Sequence, residues 1–144
     1  MTKILEMTVP GEPVGKARPR VTMRGTYMPK KYKDYLKKVS TLTRFMMKGA
    51  QPVNVPVKVT IDTYKSRPKT RPATCPKQEW VEGRVRCPTK PDADNALGSI
   101  MDGLEQGGAY TMDSRVHEAL VRTWWCAVGE RPRVDVLVEI YRWG

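Results

Sequence analysis

The sequence predicts a small α/β fold of the α+β type: a mixed β-sheet with two main helices packed on one face. Three observations predict it. Strand-like segments of alternating polarity recur along the chain, single amphipathic helical stretches separate them, and two further strand segments close the chain. A length of 144 residues suits one core, so a single domain over residues 1–144 is expected.

The first strand is expected over residues 3–9, where Leu5, Met7 and Val9 alternate with Glu6 and Thr8. A turn-rich Pro10-Gly11-Glu12-Pro13-Val14-Gly15 follows, then Lys16-Ala17-Arg18-Pro19-Arg20 and a small hairpin over 21–28 around Arg24-Gly25. Pro29 suits the first turn of a helix. From 30 to 48, Tyr32, Tyr35, Leu36, Val39, Leu42, Phe45 and Met46 recur at three- and four-residue steps, the mark of an amphipathic helix. Val55, Val57, Val59 and Ile61 then alternate with polar partners as a second strand. Residues 66–90 contain Pro68, Pro72, Pro76 and Pro88 and predict a long basic loop, with a hairpin at 80–85 turning on Glu82-Gly83. Over 95–106 the residues Ala96, Leu97, Ile100, Met101 and Leu104 share one helical face, which Gly107-Gly108 ends. Strands are expected at 116–128 and 134–140, joined through Gly129 to Pro132 as an antiparallel hairpin.

Charge is distributed unevenly. Residues 1–91 carry 21 Lys or Arg against 6 Asp or Glu, a net of +15, whereas residues 92–144 carry 5 against 9, a net of −4. So large a basic excess points to a polyanion, because phosphate contacts release counterions; a basic surface kept for solubility is the plainer alternative. Solubility does not account for six acids between Asp92 and Glu118 facing one Arg. Acids beside phosphate gain nothing unless a cation stands between them. An apolar fraction of 40% argues against disorder. No apolar run is long enough to span a membrane and no secretory signal opens the chain, so a cytoplasmic protein is expected. Cys75, Cys87 and Cys126 are expected as free thiols, since no pair has the short spacing of a zinc site.

The informative segment is Lys90-Pro91-Asp92-Ala93-Asp94-Asn95, with Asp102 and then Asp113 downstream. Two aspartates one residue apart can reach one cation, and a helix N-terminus favours negative charge there. Asp113 lies beyond a helix, so the return must fold back for it to join them, with Tyr110 and Met112 as apolar anchors. Oxygen-only ligands select Mg²⁺ or Mn²⁺. By spacing alone, Asp94 as a helix cap and Asp92 and Asp113 as turn residues is the simpler reading.

These motifs, with Asp102-Gly103-Leu104, the segment from Pro10 to Arg20 and Tyr27-Met28-Pro29-Lys30-Lys31-Tyr32, resemble the RusA family of Holliday-junction resolvases, in particular its phage and prophage branch. The resemblance implies a homodimer of a small RusA-like fold that cuts four-way junctions with Mg²⁺ or Mn²⁺. It implies Asp92, Asp94 and Asp113 as the metal-binding catalytic carboxylates and Asp102 as a further acidic position. Family members often carry a lysine four residues after the second aspartate; here that position is Gly98, so Lys16 or Lys90 would have to bring the charge from elsewhere. Lys16, Arg18, Arg20, Lys30, Lys31 and Lys90 are the expected DNA contacts, meeting phosphates without reading sequence. Two rival functions remain: a junction-binding protein without turnover, and a single-stranded nucleic-acid binder stacking bases on Trp80, Trp124, Trp125 or Trp143. His117, the lone histidine, is read as an ordinary strand position.

Overall fold

The computed structural model describes residues 1–141; Trp143, one of the expected stacking residues, lies outside them. Elements follow in the order β1 (Thr2–Pro10), β2 (Arg20–Thr22), β3 (Gly25–Tyr27), α1 (Lys30–Met47), β4 (Val57–Lys65), β5 (Val85–Arg86), α2 (Ala93–Gln106), β6 (Val116–Trp125) and β7 (Arg133–Ile140). Five strands form one sheet in the order β1-β7-β4-β6-β5, while β2 and β3 form a separate two-stranded ribbon. The sheet is mixed: β4 pairs parallel with β6 and antiparallel with β7. Alternating residues of β1, β4 and β7 (Val9, Val57, Val59, Ile61, Val136 and Val138 among them) join Tyr35 and Val39 of α1 and Ile100 and Leu104 of α2 in one core. Among the described residues no helix is long and apolar enough to cross a membrane.

The expected hairpin between the last two strands does not form. β7 inserts between β1 and β4, and β6 lies on the far side of β4. The cause is the crossover: β6 follows α2 and returns parallel to β4, occupying one of its edges. β7, whose Val134, Val136 and Val138 are buried, fills the other. A place between two strands buries that apolar row; a place outside β6 would leave it on an edge.

The stripe on α1 is also rotated from the expected one. Tyr32, Tyr35, Val39, Ser40, Thr43 and Met47 are buried, whereas Phe45 is 75% exposed. The reason lies on α2. A Cβ added at Gly103 would stand 2.4 Å from Val39 Cγ1, and one at Gly107 would stand 2.5 Å from Thr43 Cβ. Two glycines four residues apart leave a groove into which the small side of α1 descends, and Phe45 turns outward. Gly103→Ala is therefore expected to overpack this crossing and cost about 1–3 kcal/mol, lowering Tm by about 3–10 °C. A thermal melt checks it; an unchanged Tm would mean the helices are not in close contact.

The loop over residues 66–90 is more ordered than its prolines suggest. Buried Cys75, Val85, Cys87 and Trp125 form a second small core with Trp80 against it. The Trp80 ring meets Trp125 edge-on at 6.1 Å, and the Arg67 guanidinium covers Trp80 at 4.0 Å. Trp80 is drawn to Trp125, and the expected 80–85 hairpin gives way to the short pairing of β5 with Trp124 and Trp125. All three cysteines are free and buried. Glu130 clamps this flap to the β6–β7 connection by accepting from Arg84 and from the Ala127 N–H. These bonds, Arg84's first, hold its carboxyl down to about 2. Because the folded value is depressed, the clamp stabilises fully above the ordinary range near 4.5 and fades as pH falls toward 2. Glu130→Gln is expected to flatten the loss of Tm across that window, read by melts between pH 5 and pH 2 (about three pH steps).

Candidate active site

Asp92 occupies the N-cap position of α2, yet its side chain makes no capping hydrogen bond. Asp94 follows in the first turn. Both are exposed, and neither carboxylate has a hydrogen-bond or ion-pair partner among the described residues. The simpler reading made Asp94 the cap and Asp92 a turn residue; instead Asp92 holds the cap position and Asp94 lies inside the first turn, and neither accepts from an N–H there as a capping aspartate would.

Downstream, Asp94, Gly98, Asp102 and Glu105 succeed one another at steps of four, four and three residues, one flank of α2. Asp113 opens a single 3₁₀ turn before β6, and its N–H donates to Glu105 Oε1 at 3.2 Å, which ties it to the same flank. Tyr110 beneath is buried, and its hydroxyl donates to the Met101 carbonyl at 2.8 Å. Burial raises the Tyr110 hydroxyl far above its ordinary value, and the fields of Glu105, Asp113 and Asp102 add to the shift. Tyr110 anchors the return as expected; Met112 does not, being 44% exposed.

The acids therefore form a row, not a cage. Among the described residues no three His, Cys, Asp or Glu side chains come together closely enough to hold one metal ion. The expectation that Asp92, Asp94 and Asp113 close on a single ion is corrected accordingly. The physical reason is length: α2 has 14 residues, about 21 Å of helix, with Asp92 and Asp94 at its start and Asp113 following its end. Asp102, expected as a further ligand, is already engaged. It accepts from the Tyr32 hydroxyl at 2.5 Å and lies 3.4 Å from Lys16 Nζ. Burial and this bond to Asp102 push the Tyr32 hydroxyl well above its usual value.

A cleft of about 730 Å³ opens beside Asp92. Its lining includes Lys16, Arg20, Lys31, Lys65 and Lys90, with Glu12 and Asp92 as its acids. Four of the six expected DNA contacts thus meet at one place; Arg18 and Lys30 are exposed but do not line it. Glu12 accepts from the Ser66 N–H at 3.1 Å, and the Lys65 ammonium donates to the Lys90 carbonyl, so the N-terminal arm, β4 and the approach to α2 are tied together around the cleft. The β2–β3 ribbon, exposed throughout, carries Arg20, and Arg24 lies in its turn.

Lys65, expected among the basic residues of the long loop as a plausible DNA contact, stands at the end of β4 and lines the cleft. Sequence reasoning missed Glu105, whose only signal is its spacing from Asp102, and the bond that Tyr32 makes to Asp102. His117 is exposed, its ring edge-on to Tyr141 at 5.1 Å. Trp125 is buried and offers no stacking face, while Trp124 is half-buried and donates its indole N–H to Asp62 at 3.0 Å.

The donor set is all oxygen, which suits a hard cation. Mg²⁺ commonly takes only one or two carboxylates and completes its shell with phosphate oxygens and water. Asp92, in the lining of the basic cleft, and Asp94, in the first turn of α2, are unpartnered and fit that arrangement without a third ligand.

A basic cleft with a free carboxylate in its lining suits a polyanion and a hard cation together. Residues 10–139 match the family model described as Endodeoxyribonuclease RusA. The chain belongs to the RusA family. It is also 34% identical over 143 residues to the Uncharacterized protein YqaN of Bacillus subtilis (strain 168), a match covering 94% of this chain and 95% of that protein.

Proposed function

We propose that this chain is a structure-specific endonuclease that cuts four-way DNA junctions, or related branched DNA, by hydrolysis assisted by Mg²⁺ or Mn²⁺. The observation that carries the reading is the pair Asp92 and Asp94, both without protein partners among the described residues: Asp92 lines a cleft that carries five cations, and Asp94 follows it in the first turn of α2. A carboxylate and a phosphate about 4 Å apart repel by roughly 4 kcal/mol at an effective dielectric of 20. A site that attracts phosphate to two such carboxylates is adverse until a cation bridges them.

Asp92 and Asp94 are the residues assigned to hold the ion, which when bound would lower the pKa of a water and offset charge on the phosphoryl oxygens. Asp113, exposed and with no side-chain partner among the described residues, follows the other end of α2, tied to its flank through Glu105, and is not assigned to the ion. The cleft's lysines and Arg20 bind the backbone and set its course past α2. Arg18, Lys30 and the β2–β3 ribbon extend the basic surface outward. Hydrolysis is assigned to leave 5′-phosphate and 3′-hydroxyl ends.

Two nicks across a nearly two-fold junction call for two sites, and a C2 homodimer supplies them. The outer edge of β6 supports that part of the proposal. His117, Glu118, Ala119 and Leu120 are exposed, and β6's neighbour on that side, β5, reaches only Trp124 and Trp125. The test is a labelled mobile four-way junction incubated with and without Mg²⁺, its products resolved on a denaturing gel. Metal-dependent nicks placed symmetrically on opposing strands are expected. Retarded junction without any products would favour the binding protein without turnover, and preference for poly-dT over the junction would favour the single-strand binder.

A further inference from the structure

Lys16 stands apart from the other cations of the cleft. Its backbone N–H donates to the Asn95 carbonyl at 2.9 Å, which lays residues 14–16 across the start of α2. The approach is close: a Cβ on Gly15 would stand 2.9 Å from Pro91 Cβ and 3.3 Å from Asn95 Cβ. From there the Lys16 stem passes over Gly98. A Cβ built on Gly98 would meet Lys16 Cδ at 3.0 Å and Lys16 Cβ at 3.3 Å, so the stem runs through the space that a side chain at 98 would take. The ammonium ends 3.4 Å from Asp102 Oδ2, the same oxygen that receives the Tyr32 hydroxyl. It stays 52% exposed and lines the cleft beside Asp92.

The remaining cations lack this combination. Lys65 directs its ammonium to the Lys90 carbonyl, while the side chains of Arg20, Lys31 and Lys90 make no hydrogen bond or ion pair among the described residues. A charge contributes most to a developing negative charge when it is already oriented and need not be ordered during the reaction. Lys16 is the one cation of the cleft held on both stem and head, and it is held on the acidic flank of α2.

We propose that Lys16 is the cation of the cleavage step, placed against the scissile phosphate by the absent side chain of Gly98 and steadied by Asp102 and Tyr32. The inference rests on the nuclease reading above and assigns within it a charge that α2 itself does not carry. Water adds to phosphorus, the P–O3′ bond breaks, and the proton lost by the water ends on the 3′ oxygen through solvent. Lys16 keeps its proton throughout and offsets charge on the phosphate oxygens. Asp102 and Tyr32 are positioning residues in this account.

The test compares wild type, Lys16→Met, Gly98→Lys and the double variant K16M/G98K in single-turnover cleavage of a four-way junction with Mg²⁺, alongside gel-shift affinity in Ca²⁺ and a thermal melt. Lys16→Met keeps an unbranched stem over Gly98 and removes only the charge. It is expected to lose cleavage by about a hundredfold while Tm holds and affinity changes only a few-fold. Gly98→Lys alone forces two stems into one space and is expected to lower Tm or cleavage. In K16M/G98K a lysine projects from α2 beside the more pliable methionine, and at least a tenfold recovery over Lys16→Met is expected. Wild type that cuts while Lys16→Met cuts equally well would overturn this assignment alone, as would a folded, binding double variant with no recovery. Wild type that fails to cut any branched DNA would overturn the nuclease reading and this inference with it.

Discussion

Asp92→Asn and Asp94→Asn are each expected to lower junction cleavage by at least about a hundredfold and to leave junction binding as tight as in wild type, or tighter. The first half follows from the donor set. Asparagine keeps the size of the side chain but removes the negative charge that holds a hard cation, and among the described residues no third carboxylate is close enough to take over. The second half follows from what these side chains do in the free protein. Asp92 makes no capping bond and both acids are exposed, so the fold gives up only their favourable place at the helix N-terminus, about 0.3–1 kcal/mol. Removing a negative charge from the rim of the cleft lessens repulsion of phosphate. Cleavage by single turnover and affinity by gel shift in Ca²⁺ separate the two effects. Loss of binding or a large fall in Tm in either variant would mean that the acids serve the fold.

Salt is expected to act as strongly on binding. If the cleft and the arm around it neutralise roughly six to ten phosphates, junction affinity falls by about 10³–10⁵ between roughly 50 and 200 mM salt. The slope of log affinity against log salt reports the number of phosphates contacted. Lys31→Ala, which removes one cleft cation outside the acidic flank, is expected to reduce that slope by about one without changing the position of the cut. A slope near zero would mean that the excess of +15 over residues 1–91 is a property of the surface and not a footprint for DNA.

Much of the fold was legible in the sequence because side-chain period reports which residues face the core. The alternation of β1, β4 and β7 and the face of α2 that holds Ala96, Ile100 and Leu104 follow from period alone. Neighbours do not. A run of alternating valines marks β7 as a strand with a buried face, yet its place between β1 and β4 depends on which edge β6 has already taken. The α1 stripe was misread at Phe45 because hydrophobicity ranks phenylalanine above threonine. The groove left by Gly103 and Gly107 on another helix reverses that order and buries Thr43.

The site divides in the same way. Asp92 and Asp94 were visible as a pair because they are adjacent in sequence and precede a helix. The structure brings Lys16, Arg20, Lys31 and Lys90, far apart along the chain, into one cleft with Asp92. Spacing could not show that Asp102 faces Tyr32 and Lys16, or that Asp113 is tied to Glu105. Those contacts join segments far apart along the chain, and each depends on the arm laid across α2 or on the return that Tyr110 anchors.

Manganese titration followed by NMR tests the central claim most directly, since a bound Mn²⁺ broadens the amide signals nearest to it. With a four-way junction present, the account predicts that signals of residues 92–98 broaden first and that Asp94→Asn removes the effect. Broadening centred elsewhere, for instance around Asp62 and Asp135 on the sheet, or no selective broadening at millimolar Mn²⁺, would contradict it.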